Sequence, residues 1–245
     1  MRAGSLDKPY DLQEASRVYA IGDIHGRLDL LDQLIAKIDL DIKQAPTTRA
    51  FVVTLGDYID RGPDSRGVIE RLAQNPFPVT YVALKGNHEE LFEAFFENPS
   101  IGNQWRQLGG LETLHSYRVP VSLLMRGKGF PEAADLLREK VPEAHLTFLS
   151  SLRTSASYGS FFLCHAGVRP GVPLDRQTAK DLLWIREEFL SSRKDFGKRV
   201  VHGHTPTAEP EVLPNRINID TGAYMTGLLT CVVLEGEQHR FLSSE

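Results

Sequence analysis

The chain has 245 residues, 41% of them apolar and 24% charged, and 28 basic against 32 acidic side chains give a net charge of −4. That balance excludes a chain that is disordered, collagen-like or coiled-coil throughout, and its sign argues against a protein that coats nucleic acid. Two cysteines, Cys164 and Cys231, are too few for a disulfide framework; no apolar run nears the ~20 residues of a membrane span, and the first 17 residues lack a secretory signal, so a cytoplasmic protein is expected.

Residues 1–16 read as a polar leader, and residues 17–245 as a single domain with no repeat or linker. Arg17–Ile21 is predicted as a strand ending at Gly22. Leu28, Leu31, Leu34, Ile35 and Ile38 follow at helical spacing. Residues 50–55 form a second apolar strand, and Val68, Ile69, Leu72 and Ala73 the next helix. A third strand is expected over 79–84, then a helix carrying Leu91, Phe92, Phe95 and Phe96. This alternation predicts an α/β fold. Over 98–157 the pattern turns mostly helical, with Pro131 and Pro142 suited to first turns, and this stretch reads as an insertion within the domain. Strands return at 160–164, 199–201, 216–219, 228–234 and 238–242.

Reactive residues gather where the predicted strands end. Gly22-Asp23-Ile24-His25-Gly26 follows the first strand, Gly56-Asp57-Tyr58-Ile59-Asp60-Arg61-Gly62 the second, and Gly86-Asn87-His88-Glu89 the third. Later strands deliver Cys164-His165-Ala166-Gly167 and His202-Gly203-His204-Thr205-Pro206. Ligands of α/β sheets bind outside the carboxyl ends of strands, so five such loops can converge on one site. Oxygen and imidazole donors without thiolate suit manganese, iron or zinc. A carboxylate can bridge two such ions, which clamp an in-line displacement at phosphorus. Taken singly, each motif has a plainer reading: Gly-Asp is a common turn, Asn-His could cap a helix, and Asp-Arg-Gly is an ordinary surface turn. Five loops in order make coincidence a poor account of the set.

The three glycine-flanked blocks resemble the signature blocks of the phosphoprotein phosphatase branch of the calcineurin-like metallophosphoesterases, and His165 and Gly203-His204 complete that family's ligand set. Compact bacterial and phage serine/threonine phosphatases are the nearest likeness. The resemblance implies a β-sandwich flanked by helices, a four-layer αββα arrangement, with a dinuclear centre at one rim. It implies that Asp23 and His25 bind one divalent ion, that Asp57 bridges, and that Asn87, His165 and His204 bind the second, with Mn most expected and Fe or Zn alternatives. His88 becomes the general acid, oriented by Asp60. Arg61 holds phosphate oxygens, with Asn87 at the same phosphate. Trp184-Ile185-Arg186 matches the context of a second phosphate-binding arginine. Against that stands an amphipathic helix over 181–191 with Arg186 paired on its surface. His202 is expected beside the site rather than in it, and Cys164 on the opposite face of its strand.

The expected chemistry is direct attack of a metal-bridging hydroxide on phosphorus, with no covalent phosphoenzyme. Its substrate is a phosphoserine or phosphothreonine protein, or a phosphorylated small molecule. A symmetrical diadenosine tetraphosphatase, or another nucleotide or small-molecule phosphohydrolase, is the alternative. A metal-free interaction scaffold is a third reading, opposed by the filled ligand positions. No nucleic-acid or membrane partner is expected.

Overall fold

The computed structural model describes residues 8–12 and 15–245. In chain order the strands are β1 (Tyr10–Asp11), β2 (Arg17–Ile21), β3 (Ala50–Thr54), β4 (Thr80–Ala83), β5 (Ser155–Tyr158), β6 (Phe161–Cys164), β7 (Arg199–His202), β8 (Glu211–Val212), β9 (Arg216–Asn218), β10 (Thr230–Glu235) and β11 (Gln238–Ser243). They make two sheets, ordered β11-β10-β2-β3-β4 and β1-β5-β6-β7-β9-β8. β2, β3 and β4 run parallel, with Val18 opposite Phe51 and Val53 opposite Val82. β6, β7 and β9 are likewise parallel.

Alternation along the strands builds the layers. Val18 and Ala20 of β2 join Phe51, Val82, Leu163, Val201 and Ile217 in a cluster between the sheets. Tyr19 and Ile21 point the other way, into a cluster with α1 (Leu28–Gln44), α2 (Ser65–Ala73) and α3 (Asn87–Glu97). On the outer face of the second sheet, Phe162, Cys164 and Val200 meet Leu182, Ile185 and Phe189. Both faces of each sheet are therefore covered, which explains why the central strands read as unbroken apolar runs. The result is the expected sandwich of two sheets flanked by helices. No helix among the described residues is long and apolar enough to cross a membrane.

Two sequence expectations need correction. Residues 1–7, 13 and 14 of the predicted leader lie outside the described residues. The remainder is not merely a leader, because β1 pairs in parallel with β5 and Leu12 is fully buried between the sheets. A two-residue edge strand is too short to show a period. The stretch 98–157 holds α4 (Gly102–Gln107), α5 (Gly110–Ser116), α6 (Phe130–Lys140) and α7 (Glu143–Ser150), but it ends in β5. Ser155-Ala156-Ser157-Tyr158 has little apolar signal, and its strand identity comes from pairing with β6. Trp105, Leu114 and Leu137 from this stretch share one apolar cluster with α1–α3.

Candidate active site

The five loops named above do converge. β2, β3 and β4 carry Asp23, His25, Asp57 and the start of α3 from one sheet, while β6 and β7 bring His165 and His204 from the other. Every predicted ligand is buried: Asp23, His25, Asp57, Asn87, His165 and His204 are all below one-tenth exposed. Seven non-glycine residues among those described have positive φ, and five are His25, Asp57, Asp60, Arg61 and His204. Left-handed backbone is costly for such residues and collects where side chains must be aimed. At Asp57 the turn is held by the buried Glu89, whose Oε2 accepts from the Asp57 and Gly86 N–H groups at 2.9 Å each and whose Oε1 accepts from Tyr58 N–H at 2.8 Å. Gly86 is required there, because a Cβ would stand 2.1 Å from Asp57 Oδ1.

Asp57 is the hub. Its Oδ2 lies 3.4 Å from His25 Nε2 and 3.7 Å from His88 Nε2, and its Oδ1 lies 3.4 Å from His165 Nε2. Two groups could each hold a metal ion, His25–Asp57–His88 and Asp57–His165–His204, and Asp57 belongs to both. His165 Nε2 is also 2.9 Å from Asn87 Oδ1 and 3.1 Å from His204 Nδ1. Asp23 belongs to neither group, but its carboxylate accepts from the His204 N–H at 3.0 Å.

The donor set itself tests whether cations fit. His25 Nδ1–H donates to the Ile59 carbonyl at 2.7 Å, and His165 Nδ1–H to the Leu55 carbonyl at 3.1 Å. A carbonyl only accepts, so both Nε2 atoms present lone pairs toward Asp57. His165 Nε2 then has no proton for Asn87 Oδ1 and faces it as one acceptor faces another. Burial lowers His25 to about 3 and pulls His165 and His204 down as well, keeping the imidazoles neutral. Burial pushes Asp23 up, helped by the charges of Asp220 and Asp57. Burial would raise Asp57 too, but on acidification the surrounding histidines take up protons before it does, and their charge then holds that carboxyl well below its usual range. Buried lone pairs and carboxylates crowded together are an environment that divalent cations would relieve.

His88 stands beside this cluster. Its Nδ1–H donates to Asp60 Oδ2 at 2.6 Å, and its Nε2 meets Arg61 Nη2 at 3.1 Å. Burial depresses its pKa, yet Asp57 and Asp60 together raise it above the ordinary value. Arg61 also reaches His25 Nε2 at 2.9 Å, and its guanidinium lies 5.0 Å from the centre of the Tyr224 ring. Arg186 does not sit on a continuous surface helix. The chain breaks between α8 (Ala179–Trp184) and α9 (Glu187–Leu190), with Ile185 extended (φ −61°, ψ 142°), Arg186 neither helical nor extended (φ −132°, ψ −100°), and Arg186 Nη1 donating to Thr205 Oγ1 at 2.9 Å. Its charge reaches His165 and His204, and the fields of both arginines reach Asp220.

His202 lies outside the donor cluster, packed edge-on against Phe189 with Nδ1–H donating to the Gly203 carbonyl at 3.0 Å. Cys164 is a core thiol, and burial pushes its pKa up. Sequence reasoning gave no role to Glu89, Asp220, Tyr224, Trp105 or Thr113. Asp220 carried the same signal as the other loops, an acidic residue at a strand end followed by glycine two positions on. The remaining contacts arise from packing and leave no mark in spacing.

A sandwich of this order with carboxylate, amide and imidazole donors at one rim defines a metallophosphoesterase. The chain belongs to the calcineurin-like phosphoesterase family, whose model matches residues 16–222, and it is a phosphoester hydrolase. It is 29% identical over 236 residues to the asymmetrical bis(5'-nucleosyl)-tetraphosphatase PrpE of Oceanobacillus iheyensis, covering 87% of each chain. It is 32% identical over 235 residues to PrpE of Bacillus cereus, covering 86% of this chain and 87% of that one. It is also 26% identical over 241 residues to serine/threonine-protein phosphatase 1 of Salmonella typhimurium, covering 94% and 97%. A solved structure of a proposed diadenosine tetraphosphatase shares the fold, with TM-score 0.64, 22% identity and coverage of 96% and 97%.

Proposed function

We propose that this chain is a two-metal phosphatase whose substrate is a phosphate monoester with an alkoxide leaving group, as in phosphoserine or phosphothreonine. The observation that carries this reading is the buried His88–Asp60 pair at 2.6 Å, set beside Asp57. An alkoxide is a poor leaving group and gains most from a positioned acid. Asp23 and His25 would hold one ion, Asn87, His165 and His204 the other, and Asp57 both. Manganese is the preferred candidate. Bound there, divalent ions would supply positive charge at the phosphate oxygens and lower the pKa of water enough for it to serve as the nucleophile near neutral pH. The protein's own groups do the rest. Arg61 and Arg186 hold oxygens of the phosphate, each guanidinium offering a planar fork to two at once, with the Asn87 amide beside them. With Arg61 turned to the phosphate, His88 Nε2, which here accepts from Arg61 Nη2, is free to carry the proton given to the departing oxygen while Asp60 fixes the ring through Nδ1.

A second reading, hydrolysis of dinucleoside polyphosphates, is favoured by the two PrpE relatives. Their names specify asymmetrical cleavage, whereas the sequence-based alternative was a symmetrical enzyme. A comparative assay separates the readings. A phosphoserine or phosphothreonine peptide is expected to give a higher kcat/KM than diadenosine tetraphosphate. The reverse order, with nucleotide products, would transfer the assignment to the second reading.

Arg186 provides a further check. Arg186→Ala is expected to lower kcat/KM by at least about tenfold, or ~1.4 kcal/mol. Inhibition by inorganic phosphate should weaken in parallel, with metal content unchanged. Wild-type kinetics and wild-type phosphate inhibition would show that the break before α9 places this side chain for some other purpose.

A further inference from the structure

We propose that the stretch 98–157 positions the proton donor, with Trp105 and Thr113 acting as positioning residues for His88 through Asp60. Asp60 is fully buried, and this stretch supplies a partner to each of its carboxylate oxygens and to its N–H. Its Oδ2 accepts from Trp105 Nε1 at 2.8 Å as well as from His88. Its Oδ1 accepts from the Thr113 hydroxyl at 2.5 Å. Its N–H donates to Thr113 Oγ1 at 2.9 Å and to Ser65 Oγ at 3.0 Å.

The same stretch holds the next residue. Arg61 N–H donates to the Gly109 carbonyl at 3.1 Å. Gly109 has φ of 103°, and a Cβ there would come within 2.6 Å of Arg61 N and 2.7 Å of Arg61 Cγ. Asp60 and Arg61 are consecutive non-glycine residues in the left-handed region, with φ of 71° and 67°. Such a pair persists only where its surroundings over-determine it. Trp105 meets that need from two sides, because its ring also packs on Phe95 at 4.9 Å and Phe92 at 5.9 Å. Both belong to α3, the helix that carries His88 in its first turn. One indole therefore fixes the carboxylate and braces the helix that presents the imidazole.

With both oxygens occupied, the Asp60 carboxylate cannot rotate about its own axis without breaking hydrogen bonds in a buried site, where each loss is costly. The His88 ring plane, and so the direction of Nε2, is thereby fixed. Loss of these donors should leave binding and the metal ligands intact and weaken proton donation alone.

This inference rests on the reading of His88 as general acid, and the test separates the two. Thr113→Val, which removes the hydroxyl at nearly constant shape, and its conservative counterpart Thr113→Ser are compared with wild type and with His88→Asn. Each is assayed on an alkyl phosphate (a phosphoserine peptide) and on para-nitrophenyl phosphate, whose leaving group needs little protonation. Thr113→Val should lower kcat on the peptide at least about tenfold and on the aryl ester less than about threefold, with KM and metal content unchanged. Thr113→Ser, which keeps the hydroxyl, should restore the rate on the peptide. Trp105→Phe, which keeps a ring in the cluster but lacks the N–H, should act in the same sense, and it decides the matter where Thr113→Val does not fold. Equal losses on both substrates would return Trp105 and Thr113 to a purely structural role. If His88→Asn discriminates between the substrates and Thr113→Val does not, the positioning proposal alone fails. If His88→Asn does not discriminate either, the general-acid reading fails with it.

Discussion

Asp57→Asn is expected to abolish turnover, by at least about 10³-fold or ~4 kcal/mol, and to release at least one equivalent of bound metal. The substitution is chosen for its small structural cost. Asn tolerates the left-handed region that Asp57 occupies at φ 53°. Its amide oxygen can also keep the bond that Asp57 Oδ1 accepts from His88 N–H at 3.2 Å. What changes is the second oxygen, which becomes an amide nitrogen with no lone pair for a cation. Asp57 is the one residue common to both donor groups, so the loss falls on the pair of ions. Metal analysis beside steady-state kinetics checks the point. Thorough chelation of the wild-type protein should abolish activity as well, and added Mn²⁺ should restore it. Full turnover in chelated protein, or two bound ions and normal rates in Asp57→Asn, would remove the dinuclear reading.

His88→Asn should slow hydrolysis of an alkyl phosphate by roughly 10²–10⁴-fold and that of an aryl phosphate much less, with metal content preserved. The structure makes the metal measurement necessary. His88 Nε2 lies 3.7 Å from Asp57 Oδ2 and falls within one of the two candidate ligand groups. If the variant loses an ion, His88 belongs among the ligands. If both substrates slow equally, its proton is not the one transferred. The bond to Asp60 favours the acid role, because it orients the ring and favours the protonated form, whereas His25 and His165 are oriented by neutral carbonyls that keep a lone pair forward.

Much of this site could be read from the chain because its residues sit at strand ends beside glycines. Asp23, Asp57, Asn87, His165 and His204 each follow an apolar run long enough to be recognised, and parallel strands send their carboxyl ends to one rim. The periods that predicted α1, α2 and α3 are equally local. Contacts between distant, unpatterned residues were not legible. Trp105 and Asp60 are 45 positions apart, Thr113 and Asp60 are 53 apart, and no spacing links either pair. β1 and β5 were missed because short polar strands take their identity from a partner. The break at Ile185–Arg186 was missed because Leu182, Leu183, Ile185 and Phe189 have helical spacing even though the backbone turns extended between them.

The left-handed residues have a consequence for descent. Each holds of order 1–3 kcal/mol of backbone strain, and the apolar layers on either side of the sheets must offset it. Glycine at His25, Asp57, Asp60, Arg61 or His204 would relax the turn, so stability and catalysis pull in opposite directions at these five positions. A lineage released from the need to hydrolyse anything would gain stability by shedding these side chains, while its sandwich stayed whole. Relatives that keep the fold but read glycine at these positions are expected to be more stable and to have lost hydrolysis.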